Sequence, residues 1–183
     1  MKVKSTEFSG LYILEPTVFE DHRGYFMESY NYNLLREHGI DYQFVQDNQS
    51  KSSYGVLRGL HFQNPPHAQT KLIRAVSGTI LDAVVDIRKS SPTYGKHFSI
   101  ELSAENKKQL LVPKGFAHGF SVLSETAEIL YKCDAFYNKA SEDGLRFDDN
   151  ALNIDWKVPQ DEIILSDKDK SYESFEKFES LFY

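Results

Sequence analysis

His61 lies in the segment Leu57-Arg58-Gly59-Leu60-His61-Phe62-Gln63. Its imidazole is the one group there that can take up a proton near neutral pH. A histidine held at a cavity is suited to general base work, drawing a proton from a bound substrate. Arg58 sits among Leu57 and Leu60, an odd place for a solvated charge, and its planar guanidinium matches phosphate oxygens. Strict alternation puts Leu57, Gly59, His61 and Gln63 on one face of a strand. Gly59 would then leave room for a ligand to approach His61. A second histidine closes Pro113-Lys114-Gly115-Phe116-Ala117-His118. A strand histidine alone is more often structural, so the surrounding elements decide its meaning.

Those elements read as short strands broken by turn residues. The spacing predicts strands over 11–14, 25–30, 56–63, 71–76, 79–87, 97–102, 109–112, 116–123 and 127–137. Ser77-Gly78 between two of them is a hairpin signal. Two segments read as helices. One covers 31–38 and stops at Gly39. The other covers 170–182, where Tyr172, Phe175, Phe178, Leu181 and Phe182 recur at helical spacing. That aromatic stripe reads as packing rather than as a ligand surface. The expectation is a single all-β domain over 1–183, with residues 170–183 as a peripheral helix. Closure into a barrel would remove exposed strand edges and leave a mouth for one small ligand.

Composition narrows the function. The chain has 183 residues and one cysteine, Cys133, so no internal disulfide is possible. The formal net charge of −6 argues against a nucleic-acid partner. An anionic ligand would need cations gathered locally, which singles out Arg23, Arg58, Lys71 and Lys168. No run approaches the roughly 18 apolar residues of a membrane helix. The first eight residues lack the apolar core of a signal peptide. A cytoplasmic protein with no membrane association is expected.

Pro113 to His118 carries the Pro-x-Gly-x-x-His pattern of the second cupin motif, and Gly55 precedes His61 as in the first. The metal-binding version then fails. Gln63 stands where a second histidine is needed, and His67 and Ala68 occupy the window for a glutamate. Two ligands remain where three or four are required. The segment therefore resembles a cupin-type jelly-roll barrel doing acid–base chemistry, with no metal and no cofactor expected.

Five ordered segments carry a more specific resemblance. They are Phe44-Val45-Gln46-Asp47-Asn48-Gln49-Ser50, Val56 to Gln63, Val85-Asp86-Ile87-Arg88-Lys89-Ser90-Ser91-Pro92-Thr93, Pro113 to Phe120, and Leu165-Ser166-Asp167-Lys168-Asp169. From Phe8 to Asp169 the chain resembles the dTDP-4-dehydrorhamnose 3,5-epimerase family. That resemblance implies a dTDP-linked 4-keto-6-deoxy sugar as substrate, in dTDP-L-rhamnose synthesis. Protons on C3 and C5 flank the C4 ketone and become acidic once the enolate is stabilised. Carried over by resemblance, His61 is the base, Asp169 its oriented partner, Lys71 the enolate stabiliser and Tyr131 the acid on the opposite face. Arg23, Arg58, His118 and Lys168 are implied at the diphosphate or sugar. Glu28, Gln46, Asp47 and Asn48 are implied around the thymidine, with Tyr137 stacked on the base and Glu142 supporting the same site. A homodimer is also implied.

Each role has a structural alternative. Asp169 could be the N-cap of a helix starting near Lys170. Tyr131 lies in an apolar strand and could be core. Arg23 in a glycine turn could be a plain surface charge. Three rival functions stand beside the double epimerase. One is an epimerase acting on one carbon or on another nucleotide. The others are a metal-dependent cupin and a non-catalytic sugar-binding cupin.

Overall fold

A computed structural model describes residues 1–183. Its strands are β1 Lys2–Ser5, β2 Tyr12–Glu15, β3 Val18–Asp21, β4 Gly24–Met27, β5 Gln46–Ser53, β6 Leu57–Gln63, β7 Lys71–Ser77, β8 Thr79–Asp86, β9 His97–Ser103, β10 Gln109–Val112, β11 Phe116–Val122, β12 Thr126–Cys133 and β13 Glu142–Gly144. Two short α-helices accompany them, α1 Tyr32–Glu37 and α2 Asp167–Lys170. No helix is long and apolar enough to cross a membrane.

The strands form a six-stranded sheet, β1-β2-β10-β7-β12-β5, and a five-stranded sheet, β13-β6-β11-β8-β9. The two face each other as a jelly roll of the cupin kind. They do not close into one hydrogen-bonded ring, so edge strands remain at β1, β5, β9 and β13. Strands β3 and β4 form a separate hairpin.

Period-two alternation accounts for three layers of core. Ile73, Leu110, Val112, Ile129, Ile80, Val84, Phe116 and Phe120 point between the sheets. Their neighbours point outward. Leu72 and Leu111 meet Leu35 of α1 and Ile40 on the outer face of the six-stranded sheet. Leu57, Leu60, Phe62, Ala83, Val85 and Ala117 cover the other outer face, under Leu145, Leu152, Trp156 and Phe182.

The helix expected over 31–38 forms as α1, capped by the Asn31 side chain, which accepts from the backbone N–H groups of Asn33 and Leu34. The helix expected over 170–182 does not form. Only Asp167–Lys170 is helical, followed by a single 3-10 turn at Phe175–Lys177. Ser166, not Asp169, is the N-cap of α2. The aromatic spacing of this tail matches a wall instead of a helix face. Phe178 and Phe182 stack edge-on against Phe62, and Phe175 packs at a tilt against Tyr94. Backbone pairing ties the tail down, with Lys89 N–H donating to Phe182 O. Packing as predicted is found, with an extended backbone.

Strand β5 was not expected, because Gln46-Asp47-Asn48-Gln49-Ser50-Lys51-Ser52-Ser53 has no apolar alternation. It pairs with β12 along its full length as an edge. Its inward side chains line a polar mouth, so no hydrophobic signal marks them.

Candidate active site

Four inward positions near one end of the jelly roll are polar. On β7, Lys71 continues the inward series of Ile73 and Ala75, and on β12 Tyr131 continues that of Ala127 and Ile129. On β8 and β11 the corresponding positions are Asp82 and His118. These four meet the end of β6, and the join is irregular. On β11 one residue, Gly119, separates His118 from Phe120, while on β6 two, Gly59 and Leu60, separate their partners Arg58 and His61. The extra residue is a bulge, which brings Arg58 and His61 to the same inward face.

The bulge corrects two expectations. Leu57 does not share a face with His61; it packs outward with Leu60 and Phe62. Gly59 does not make room for a ligand. Its φ is +125°, and a Cβ there would stand 2.5 Å from the Gly119 Cα and 2.8 Å from the His118 carbonyl oxygen. The glycine lets β11 pass close to the bulge.

A cavity of about 370 Å³ opens at this end, lined by Gln46, Asn48, His61, Gln63, Lys71, Tyr131, Tyr137 and Glu142 among others. A second depression adjoins it at His61 and holds Arg58, Lys168 and Asp169. His61 Nε2 lies 2.5 Å from Asp169 Oδ1, across 108 residues of sequence. Since a carboxylate only accepts, Nε2–H donates and Nδ1 is left with its lone pair. The other carboxylate oxygen of Asp169 accepts from the Ser166 hydroxyl at 2.8 Å. Burial pushes the Asp169 carboxyl up. The hydrogen bond and charge of His61, the Ser166 hydroxyl and nearby Lys168 outweigh it and hold the group below the usual aspartate value.

Burial lowers the Lys71 ammonium below the ordinary lysine range, against the pull of Cys133, Asp82 and Glu142. Burial raises the Tyr131 phenol, with Cys133 adding to the rise and Arg58 opposing it. Tyr131 thus stays protonated at neutral pH; its strand pairs with that of Lys71 in the six-stranded sheet and faces His61 on the five-stranded one. The geometry sets an imidazole, an ammonium and a phenol around one cavity, with the imidazole and phenol on opposed sheets.

The remaining residues divide. Tyr137 donates from its hydroxyl to Glu142 Oε2 at 2.8 Å, and Lys168 pairs with the same carboxylate. Gln46 Nε2 donates to Asn48 Oδ1 at 3.0 Å, and its own oxygen accepts from Tyr137 N–H. Arg58 donates to the Ser52 hydroxyl at 3.2 Å. His118 lies opposite His61 but is buried, its Nε2 donating to Asp82 Oδ2 at 2.9 Å. Asp47 is not in the cavity. Alternation on β5 turns it away from Gln46 and Asn48, and it pairs with Lys132 at 2.9 Å. Arg23 and Glu28 are also outside. Arg23 caps the β3–β4 turn and pairs with Asp21 at 2.5 Å, while Glu28 follows β4.

Three residues gain roles that sequence reasoning missed. Gln63 bridges two loops, donating to His67 O at 2.6 Å and accepting from Asn138 N–H at 2.7 Å. The place of a would-be metal ligand is thus taken by a loop clamp. Asp82 and Tyr172 lie against the two histidines. Only the odd polarity of Asp82 within Leu81-Asp82-Ala83-Val84 marked it in advance.

The sequence model of the dTDP-4-dehydrorhamnose 3,5-epimerase family matches residues 5–177. The chain belongs to this family. A dTDP-4-dehydrorhamnose 3,5-epimerase of Shigella flexneri is 53% identical over 176 residues, 96% of each chain. The crystal structure of the epimerase from Elizabethkingia anophelis NUHP1 has 55% identity and a TM-score of 0.92, covering 96% of this chain and 97% of its own. That of the 3,5-epimerase from Legionella pneumophila Philadelphia 1, in complex with dTDP-4-keto-L-rhamnose, has 41% identity and a TM-score of 0.94, covering 100% and 98%. Like these epimerases, the chain is an isomerase on a cupin-like all-β fold.

Proposed function

We propose that the cavity converts dTDP-4-dehydro-6-deoxy-D-glucose to dTDP-4-dehydro-L-rhamnose by proton exchange at C3 and C5. The observation that carries the mechanism is the His61–Asp169 bond, which leaves Nδ1 of the imidazole as the free base. Nδ1 takes the proton next to the C4 ketone, and the electron pair moves into an enolate. Asp169 stabilises the imidazolium that forms. The Lys71 ammonium faces the enolate oxygen and offsets its charge. Tyr131 then delivers its phenolic proton to the opposite face of the same carbon, inverting it. His61 then releases its proton to water and the Tyr131 phenolate takes one up, and repetition at the second carbon completes the double epimerisation.

The nucleotide is held outside the reacting centre. Tyr137, already tied to Glu142, offers a ring for the thymine, and Gln46 and Asn48 offer amides. Arg58 and Lys168 serve the diphosphate, with His118 behind them at the sugar. Binding of this non-reacting part fixes the sugar between base and acid.

Arg23 and Glu28 fit the same reading through a homodimer. The β3–β4 hairpin carries Phe19 and Phe26 opposite each other, 63% and 70% exposed. Paired exposed phenylalanines suit burial against a second copy of the chain. Seated there, the hairpin would bring Arg23 and Glu28 to the partner's cavity. A cytoplasmic location suits an enzyme of sugar-nucleotide synthesis.

Turnover in deuterium oxide tests the reaction. Deuterium at both C3 and C5 of the product is expected, and label at C5 alone refutes the double epimerase. His61→Ala is expected to bind dTDP and to lose exchange at both carbons. Exchange at the wild-type rate in that variant would sink the proposed base.

A further inference from the structure

Gly144 of β13 lies directly opposite His61 of β6. It has no side chain, and another residue's ring occupies the space. A Cβ on Gly144 would stand 2.5 Å from both Cε2 and Cζ of Tyr172. The Tyr172 ring meets the His61 imidazole edge-on, with centroids 5.7 Å apart and planes at 65°. Edge-to-face contact of this kind is a specific geometry with its own attraction.

Tyr172 is held in place from both sides. Ser171 N–H donates to Lys168 O at 3.0 Å, and Arg146 N–H donates to Glu173 O at 3.1 Å. The same short stretch therefore delivers Asp169 to Nε2 of His61 and Tyr172 to its ring. The Tyr172 hydroxyl is buried and makes no hydrogen bond within the chain. What the fold retains here is the ring; the hydroxyl contributes no bond.

We propose that Tyr172 is a positioning residue for epimerisation: its ring fixes the plane of the His61 imidazole and keeps water from the bond between Nε2–H and Asp169. This rests on the reading of His61 as the base. A base lone pair must point at the carbon-bound proton, and small misplacements cost large factors in rate.

The test uses the full chain and two readouts. In the wild type, the Nε2–H proton should give a downfield resonance that exchanges slowly with water. Its disappearance in His61→Ala assigns it. In Tyr172→Leu the resonance should broaden into the solvent, and kcat should fall at least tenfold with KM changed less than twofold. Tyr172→Phe should restore both. Tyr172→Met, closer in length, serves if the leucine variant does not fold. A resonance as sharp as wild type, or an unchanged kcat, in the folded variant overturns the proposal. So does a Tyr172→Phe variant as impaired as Tyr172→Leu. Failure of the base itself is read separately, because His61→Ala would then keep proton exchange, while the resonance still reports whether Tyr172 holds the ring.

Discussion

The bond from His61 to Asp169 assigns work to each nitrogen of one imidazole. Nε2 is committed to the carboxylate, so the proposed abstraction falls to Nδ1. Asp169→Asn keeps the shape and removes the charge that stabilises the imidazolium. A fall in kcat of roughly 10³–10⁴-fold is expected, on the scale of orienting carboxylates in other His–Asp pairs. Steady-state kinetics should show it with little change in KM. Asp169 also bears on stability. Its folded pKa is below the ordinary value of 3.8, so its contribution is complete above that value and is lost as pH falls through the lower folded one. In Asp169→Asn, acid unfolding monitored by circular dichroism should lose that component. Lys71 has the same direction of shift for a different reason, because burial disfavours its charged form. Its folded pKa is below 10.5, so the unfolded chain binds more protons in the window between the two. The Lys71 contribution to stability therefore rises with pH there, while catalysis is lost as the ammonium deprotonates. Activity should fall on the alkaline side through a group below 10.5, and Lys71→Met should cost about 10²–10³-fold in kcat at neutral pH. A full pH–rate profile in both proteins checks it.

The bulge on β6 is the element on which the site depends, and it needs Gly59. An alanine would combine a φ of +125° with contacts of 2.5 and 2.8 Å to the backbone of β11. Gly59→Ala should lower stability by about 2–4 kcal/mol, as strain and overpacking add. Chemical denaturation measures this directly. The bulge also shows where sequence reasoning stops. Alternation reads β6 as a regular strand and assigns Gly59 to the ligand side. A bulge of two residues against one is set by β11, more than fifty residues on, and leaves no local mark. The apolar strands β7, β8, β10 and β11 were legible because burial imposes a period of two on them. Strand β5 was not, because an edge lining a polar cavity has no apolar face to display. The tail over 170–182 misled for a related reason. Its aromatics are spaced by the pockets between Phe62 and Tyr94 and so mimic a helical repeat. Within the site, His61 and Arg58 stood out locally. Asp169 and Tyr131 needed the family resemblance, since their partners lie on other strands, and Tyr172 gave no signal beyond its place in an apolar stripe.

At the scale of the molecule, the cavity is served by both sheets and by the segment after β13. The β3–β4 hairpin stands apart from it, with its phenylalanine pair exposed. Phe19→Asp combined with Phe26→Asp should yield monomers by sedimentation. Each phenylalanine removed from an interface forfeits about 1.5–3 kcal/mol, so association should weaken at least 100-fold. A dimer unchanged in that variant would refute the hairpin as the contact.

The 108-residue separation of His61 from Asp169 has one more consequence. Asp169 and Tyr172 come from a stretch with one short helix and a single 3-10 turn, whereas His61 is pinned between β11 and β13. Segments of that kind open locally at lower free energy than central strands. Warming should therefore switch the enzyme off reversibly before the sheets melt. Catalysis would then act as a thermometer for the closure of residues 166–173, and the gap between inactivation and global unfolding would measure how firmly that clasp is shut.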